Sequence, residues 1–128
     1  MKPGDRVAGI FMQSWLGGDV EPADAGSSLG GAIHGVLAEY VVFDQNGLVQ
    51  LPAHLSFEEG ATLPCAAVTA WNALYAGRPL IAGQTVLVLG TGGVSIFGLQ
   101  LAHAAGARVI ATSSSDDKLA RVKAMGAS

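Results

Sequence analysis

The chain is poor in cysteine, in charge and in aromatic side chains. It has one cysteine, Cys65, among 128 residues, so no disulfide can form within it, and this usage favours a reducing compartment. Charged residues make up 13% of the chain and aromatic residues 6%, and the formal net charge is −3. Basic residues group only at Lys118, Arg121 and Lys123. A nucleic-acid partner is therefore not expected.

The sequence also lacks an apolar run long enough for a membrane span. Such a span needs roughly 20 residues, whereas the longest candidate, Thr85 to Leu101, is broken by glycines. The N-terminal residues also lack the apolar segment that a signal peptide contains. We therefore expect no membrane association and a cytoplasmic location.

Apolar residues and glycine are abundant instead. Half of the residues are hydrophobic and 18 are glycine, a composition that predicts a globular chain with many tight turns. This composition favours an α/β fold over an aromatic-rich sandwich.

The first half of the chain predicts short strands around a long loop. Val7 to Phe11 is typical of a strand, and residues 12–35 predict a long surface loop. Leu37 to Phe43 and Leu48 to Leu51 predict two further strands, which the turn pair Asn46 and Gly47 would join as a hairpin.

Two helices are expected next. Ser56, followed three residues later by Glu59, is a capping-box pattern that predicts a helix beginning near Phe57. Pro64 should interrupt it, and the spacing of small and apolar residues from Cys65 to Tyr75 predicts a second helix.

The second half of the chain predicts a parallel sheet. Thr85 to Leu89 is an apolar run typical of a strand buried on both faces. A helix from Val94 to Ala105, a strand from Arg108 to Thr112 and a last helix to Met125, capped by Ser115 or Asp116, complete a βαβα order.

A glycine-rich turn lies between the first of these strands and its helix. This position in a βαβ unit is the one at which dinucleotide-binding proteins hold a pyrophosphate, on free backbone amides at a helix N-terminus. Ser95 occupies the third position of the motif, where glycine is usual, so strand and helix would pack further apart. A glycine-rich turn without a ligand is the alternative. The predicted phosphate-binding residues are Gly90, Thr91, Gly92, Gly93 and Val94.

The end of the second strand suggests NADP rather than NAD. No carboxylate stands from Thr112 to Ser115, where an NAD-binding protein would place one for the ribose. Ser113, Ser114 and Lys118 offer hydroxyl donors and a cation for a 2′-phosphate. The alternative is that the serines only cap the following helix.

Four segments together resemble the medium-chain dehydrogenase/reductase superfamily, which includes alcohol dehydrogenases and quinone oxidoreductases. They are LPCAAVTAWNAL (63–74), GQTVLV (83–88), GTGGVS (90–95) and ATSSSDDKL (111–119).

The resemblance implies that residues 1–76 are the later part of a GroES-like, β-rich catalytic domain with linking helices. Residues 77–128 would be the start of an NADP-binding Rossmann domain. Because members of the family are more than twice as long, we expect an internal fragment. Its longer parent would act on a small-molecule substrate and would form a homo-oligomer.

The resemblance also bears on Thr69 and Cys65. Thr69 resembles the family threonine beside the nicotinamide. The alternative is a threonine whose side chain only takes part in helix packing. Cys65 falls where the zinc enzymes place a third catalytic ligand, but the other two would precede Met1, and residues 12–35 have no cysteine for a structural zinc. We expect no bound metal and a quinone oxidoreductase-like protein. A zinc-dependent alcohol dehydrogenase with Cys65 as a ligand is the alternative.

The expected activity is NADPH-dependent hydride transfer to or from a carbonyl, enone or quinone. His34, His54 and His103 are too scattered to form a ligand set, and no catalytic residue can be assigned. A non-catalytic nucleotide-binding module is a further alternative.

Overall fold

The computed structural model describes residues 1–128 and divides into two compact units, Met1–Cys65 and Ala66–Ser128. The sequence predicted a boundary between residues 76 and 77. That boundary stays a prediction; within the second unit, the helix Val68–Tyr75 packs on the helix Gly93–Ala104. The assignment of the two parts to a catalytic and a nucleotide-binding domain stays a prediction. None of the helices combines the length and hydropathy that crossing a bilayer would require.

The first unit contains a two-stranded antiparallel sheet. Strand β1 (Val7–Gly9) pairs with β2 (Leu48–Gln50), and Ala8 lies opposite Val49. The segment between them is largely loop, with one short helix, α1 (Pro22–Ala25). The predicted strand near Val7 and the predicted long loop are thus confirmed, apart from this helical turn.

The predicted strand from Leu37 to Phe43 is wrong, and with it the predicted hairpin. These residues form no regular element, and Asn46 and Gly47 lie in a 3-10 turn, Gln45–Gly47. No strand lies alongside residues 37–43, since β2 pairs with β1. A β-prone sequence needs a neighbouring strand and a surface to cover, and Leu37, Tyr40 and Val42 are instead exposed.

Helix α2 (Phe57–Ala61) begins at the predicted capping box. The Ser56 amide donates to Glu59 Oε2 at 2.8 Å, and the Glu59 amide donates to Ser56 Oγ at 3.1 Å. The pKa of the neighbouring Glu58 carboxyl is lowered, first by a hydrogen bond from its own backbone amide and then by one from Ser56. Ser56 and Glu59 therefore cap this helix N-terminus as the sequence predicts.

The predicted break at Pro64 is a π-type turn, Leu63–Ala67, which leads into α3 (Val68–Tyr75). Proline has no amide hydrogen for the α-helical pattern, and the wider turn accommodates this local loss. The second helix is thus confirmed, with a start three residues later than predicted.

The second unit is a parallel sheet with its connecting helices. Strand β3 (Thr85–Val88) pairs in parallel with β4 (Arg108–Ala111), through the crossover helix α4 (Gly93–Ala104). Helix α5 (Asp116–Ala124) follows, and Ala127 then forms a parallel bridge to Val109. The predicted βαβα order is confirmed, and Ala127 occupies the position next to β4.

The core of this unit lies between the sheet and its helices. Leu99 and Ala102 of α4, Val109 of β4 and Val122 of α5 are buried together. The prediction that β3 is buried on both faces is wrong. Leu87 remains 57% exposed, because α4 covers only one face of the strand.

Gly126, which lies two residues after α5, packs against the His103 ring, and substitution there tests this contact. It has φ +106°, and a Cβ there would lie 2.7 Å from the His103 ring. We expect Gly126→Ala to lower the free energy of unfolding by about 1–3 kcal/mol, measured by urea denaturation. The control is Gly83→Ala, which has a positive φ of +84° but open space around the added carbon. Equal losses for the two variants would contradict the steric contribution of His103.

Candidate nucleotide-binding site

The turn that follows β3 is held by hydrogen bonds on two sides. Gly90 has φ +79°, a backbone conformation that glycine adopts without strain. Its amide donates to Thr112 Oγ1 at 3.1 Å, and Ser95 Oγ donates to the Leu89 carbonyl at 2.9 Å. The turn is therefore tied both to the end of β4 and to the first turn of α4.

The N-terminus of α4 is open to an anion. Gly92 is the N-cap residue and has no side chain to cap the helix, so the amides of Gly93, Val94 and Ser95 donate no hydrogen bond within the chain. A Cβ built on Gly92 meets no atom within 4 Å. Free amides, the positive end of the helix dipole and open space together fit a pyrophosphate.

Close packing of helix on strand occurs at Gly98, which sequence analysis missed. Gly98 is buried, and a Cβ there would lie 3.4 Å from Val88 Cγ1. The serine at position 95 predicts a wider separation of the two elements. Ser95 instead turns its hydroxyl to the Leu89 carbonyl, and the glycine one turn later provides the contact. A glycine inside an apolar helical run was the available signal.

The residues predicted to select the nucleotide follow β4 at the same edge of the sheet as the glycine turn. Ser113 is half-buried, and its Oγ accepts from the Ser115 amide at 3.2 Å, which leaves its hydroxyl hydrogen free to donate. Ser114 and Lys118 are exposed. Ser115 is the N-cap of α5, accepting from the Lys118 amide at 3.5 Å. The capping role thus falls mainly on Ser115.

Thr69 lies on α3, the helix that packs on α4. Its side chain is exposed. One helical turn earlier, Ala66 reaches the start of α4, since a Cβ on Gly93 would lie 3.5 Å from Ala66 Cβ. Thr69 is therefore accessible to a ligand, and its predicted position beside a nicotinamide stays a prediction.

Cys65 belongs to the first unit and lies in the wall of an apolar cavity of about 390 Å³. The thiol is exposed, and Phe57, Leu51 and Pro64 are among the apolar residues that line the same cavity. No group of three or more His, Cys, Asp or Glu side chains converges in the structure. The residues of this chain do not fit a zinc site on their own, because such a site needs at least three protein ligands.

A glycine turn between two parallel strands, with an uncapped helix N-terminus at the carboxyl edge of the sheet, is the arrangement found in dinucleotide-binding βαβ units. No family model matches the chain. A zinc-type alcohol dehydrogenase-like protein of Schizosaccharomyces pombe is 51% identical over 97% of the chain and 36% of its own length. The chain belongs to the medium-chain dehydrogenase/reductase superfamily.

Solved structures support this membership. A candidate alcohol dehydrogenase from Sinorhizobium meliloti 1021 superposes with a TM-score of 0.92 and 50% identity, over 99% of this chain and 38% of the other. The quinone oxidoreductase of Thermus thermophilus, solved also in complex with NADPH, has a TM-score of 0.66 and 39% identity, over 73% of this chain and 32% of the other. The chain thus spans about a third of the length of these relatives.

Proposed function

We propose that the chain is the nucleotide phosphate-binding segment of an NADPH-dependent oxidoreductase. The protein would move hydride to or from a carbonyl, an enone or a quinone. The observation that carries this proposal is the uncapped N-terminus of α4 at the carboxyl edge of a parallel sheet. Relatives named as alcohol dehydrogenase-like proteins and quinone oxidoreductases support the reaction class.

Each part of the predicted site has one task. The amides of Gly93 and Val94 bind the pyrophosphate, and Gly92 leaves room for it. Ser113, Ser114 and Lys118 bind the 2′-phosphate, and Thr69 lies beside the nicotinamide. The cofactor supplies the hydride, and the protein supplies binding and orientation.

The preference for NADP rests on the charges after β4. Ser113 and Ser114 stand where a carboxylate would bind the ribose of NAD, and Lys118 adds a cation. Asp116 and Asp117 also lie in this first turn of α5, where carboxylates stabilise a helix N-terminus. Lys118 therefore has to offset their repulsion of a 2′-phosphate, which makes it the most sensitive point of the proposal.

Amide NMR of the isotopically labelled chain tests the proposal. NADP⁺ is expected to shift the amides of residues 90–94 and 113–118, whereas NAD⁺ should shift mainly the first group. Saturable shifts can be followed even where binding is weak. The absence of shifts with either nucleotide, or shifts confined to residues 1–65, would overturn the proposal.

The 128-residue chain is expected to bind nucleotide with little or no turnover. Leu87 of β3 is 57% exposed and Leu89, which follows the strand, is 74% exposed, so the surface around the site is incompletely covered. Excluding water and orienting both reactants require a closed site. The measurement is steady-state NADPH oxidation with a panel of quinones and enones. Turnover at about 1 s⁻¹ or faster, a rate typical of enzymes, would contradict the expectation.

No stoichiometric zinc is expected in the chain, because Cys65 is not part of any group of three or more His, Cys, Asp or Glu side chains. Elemental analysis after purification without added metal measures this, with Cys65→Ser as the matched variant. One zinc per chain that is lost in Cys65→Ser would instead favour the zinc-dependent alcohol dehydrogenase.

A further inference from the structure

Thr112 is the residue that joins the two halves of the proposed site. It directly follows β4, and its Oγ1 accepts the Gly90 amide at 3.1 Å across 22 residues of sequence. Its own amide donates to the Val88 carbonyl at 3.2 Å, which continues the pairing of β4 with β3. Thr112 is therefore fixed by the sheet and in turn holds the residue at which the glycine turn begins.

We infer that Thr112 is a positioning residue that orients the phosphate-binding turn. This inference rests on the proposed nucleotide function and adds to it a residue that sequence analysis did not select. Gly90 is the only residue of the turn with a positive φ, at +79°, so the direction of the chain toward Gly92 is set there. A glycine samples many conformations unless something restricts it. The Thr112 hydroxyl supplies that restriction.

The side chain of threonine suits this task. A β-branched side chain has few χ1 rotamers, so Oγ1 stays directed at the Gly90 amide once the backbone is fixed. Because Oγ1 accepts this amide, Thr112 acts on the nucleotide through Gly90 and the amides beyond it. A residue acting in this way affects the pyrophosphate, which NAD and NADP share. Its effect must therefore differ from that of Lys118, which concerns the 2′-phosphate alone.

The test compares three variants by amide NMR titration of the chain with NADP⁺ and with NAD⁺. Thr112→Val removes the acceptor with little change of shape, and Thr112→Ser retains it. Thr85→Val is the control, at the opposite end of β3. We expect Thr112→Val to weaken both nucleotides by a similar factor, about three- to tenfold, since one neutral hydrogen bond is lost. Thr112→Ser and Thr85→Val should stay close to wild type.

A second measurement separates positioning from folding. Hydrogen exchange of the Gly90 amide, without nucleotide, should be faster in Thr112→Val, whereas the core amides of α4 should keep their protection. If Thr112→Val does not fold, Thr112→Ala serves as the second variant without an acceptor.

The remaining outcomes are distinct. Unchanged affinity for both nucleotides in Thr112→Val would overturn the inference and leave the proposed function standing. Selective weakening of NADP⁺ would also overturn it, since Thr112 would then contact the 2′-phosphate. Failure of the wild-type chain to bind either nucleotide would overturn the proposed function and this inference together.

Discussion

Gly92→Val is expected to weaken binding of NADPH and NADH alike, by about 10- to 100-fold. A Cβ at this position meets no atom of the chain within 4 Å, so the protein itself leaves the space open. The branched side chain would occupy the space that the pyrophosphate needs, and such overpacking costs about 1–3 kcal/mol, or up to two orders of magnitude in affinity. Dissociation constants from titration of the chain with each nucleotide measure the effect.

Two variants control for an indirect effect of Gly92→Val. Gly77→Val, between α3 and β3, also places its side chain in open space and should leave both affinities unchanged. Gly92→Ala should have a smaller effect than Gly92→Val, because it adds one carbon. Loss of an N-cap glycine costs the helix about 1 kcal/mol, so unfolding is measured alongside. If a folded Gly92→Val variant kept its affinity for both nucleotides, the pyrophosphate could not bind at this turn.

Lys118→Ala is expected to weaken NADPH by about tenfold or more and to leave NADH almost unchanged. A 2′-phosphate carries close to two negative charges near neutral pH, and each charge-assisted hydrogen bond to it contributes about 1.5–3 kcal/mol. NADH has no such phosphate. Lys118 is exposed on the first turn of α5, after the predicted partners Ser113 and Ser114. Both dissociation constants are measured at one ionic strength, because salt screens these contacts.

Lys123→Ala is the matched control, since it removes the same charge from the last turn of the same helix. It should change the affinity for NADPH by much less than Lys118→Ala does. Conversely, Asp117→Asn should strengthen NADPH binding, because it removes a negative charge beside Lys118. Equal weakening of both nucleotides in Lys118→Ala, or equal affinity of the wild-type chain for the two, would refute the choice of NADP.

Elements with local causes could be predicted from the sequence. The capping box of Ser56 and Glu59 acts over three residues, and the order of β3, α4, β4 and α5 follows from the length and spacing of apolar runs. The glycine turn was found for the same reason, since its neighbours in sequence are a strand and a helix. For such features, all the interacting groups lie within a few residues of one another in the sequence.

Features that join distant residues could not be predicted. Arg6 donates to the Leu55 carbonyl at 2.6 Å, 49 residues away in sequence, and lies 4.5 Å from the centre of the Phe57 ring. The link from Gly90 to Thr112 likewise depends on strand register. The segment 37–43 has a strand-like sequence, but its partner is missing because β2 pairs with β1. Propensity describes a residue, whereas pairing is a property of two segments.

The parallel bridge from Ala127 to Val109 fixes the direction in which the sheet of the second unit is wound. From β3 to β4 and on to Ala127, each segment lies next to the preceding one in the sheet, and the order continues in one direction. Crossovers between parallel strands are almost always right-handed. Two successive right-handed crossovers in one direction would place α4 and α5 on the same face, which agrees with Leu99 of α4, Val109 of β4 and Val122 of α5 lying in one buried cluster. With both helices on one face, the opposite face of β3, which carries Leu87, has no helix of this unit to cover it.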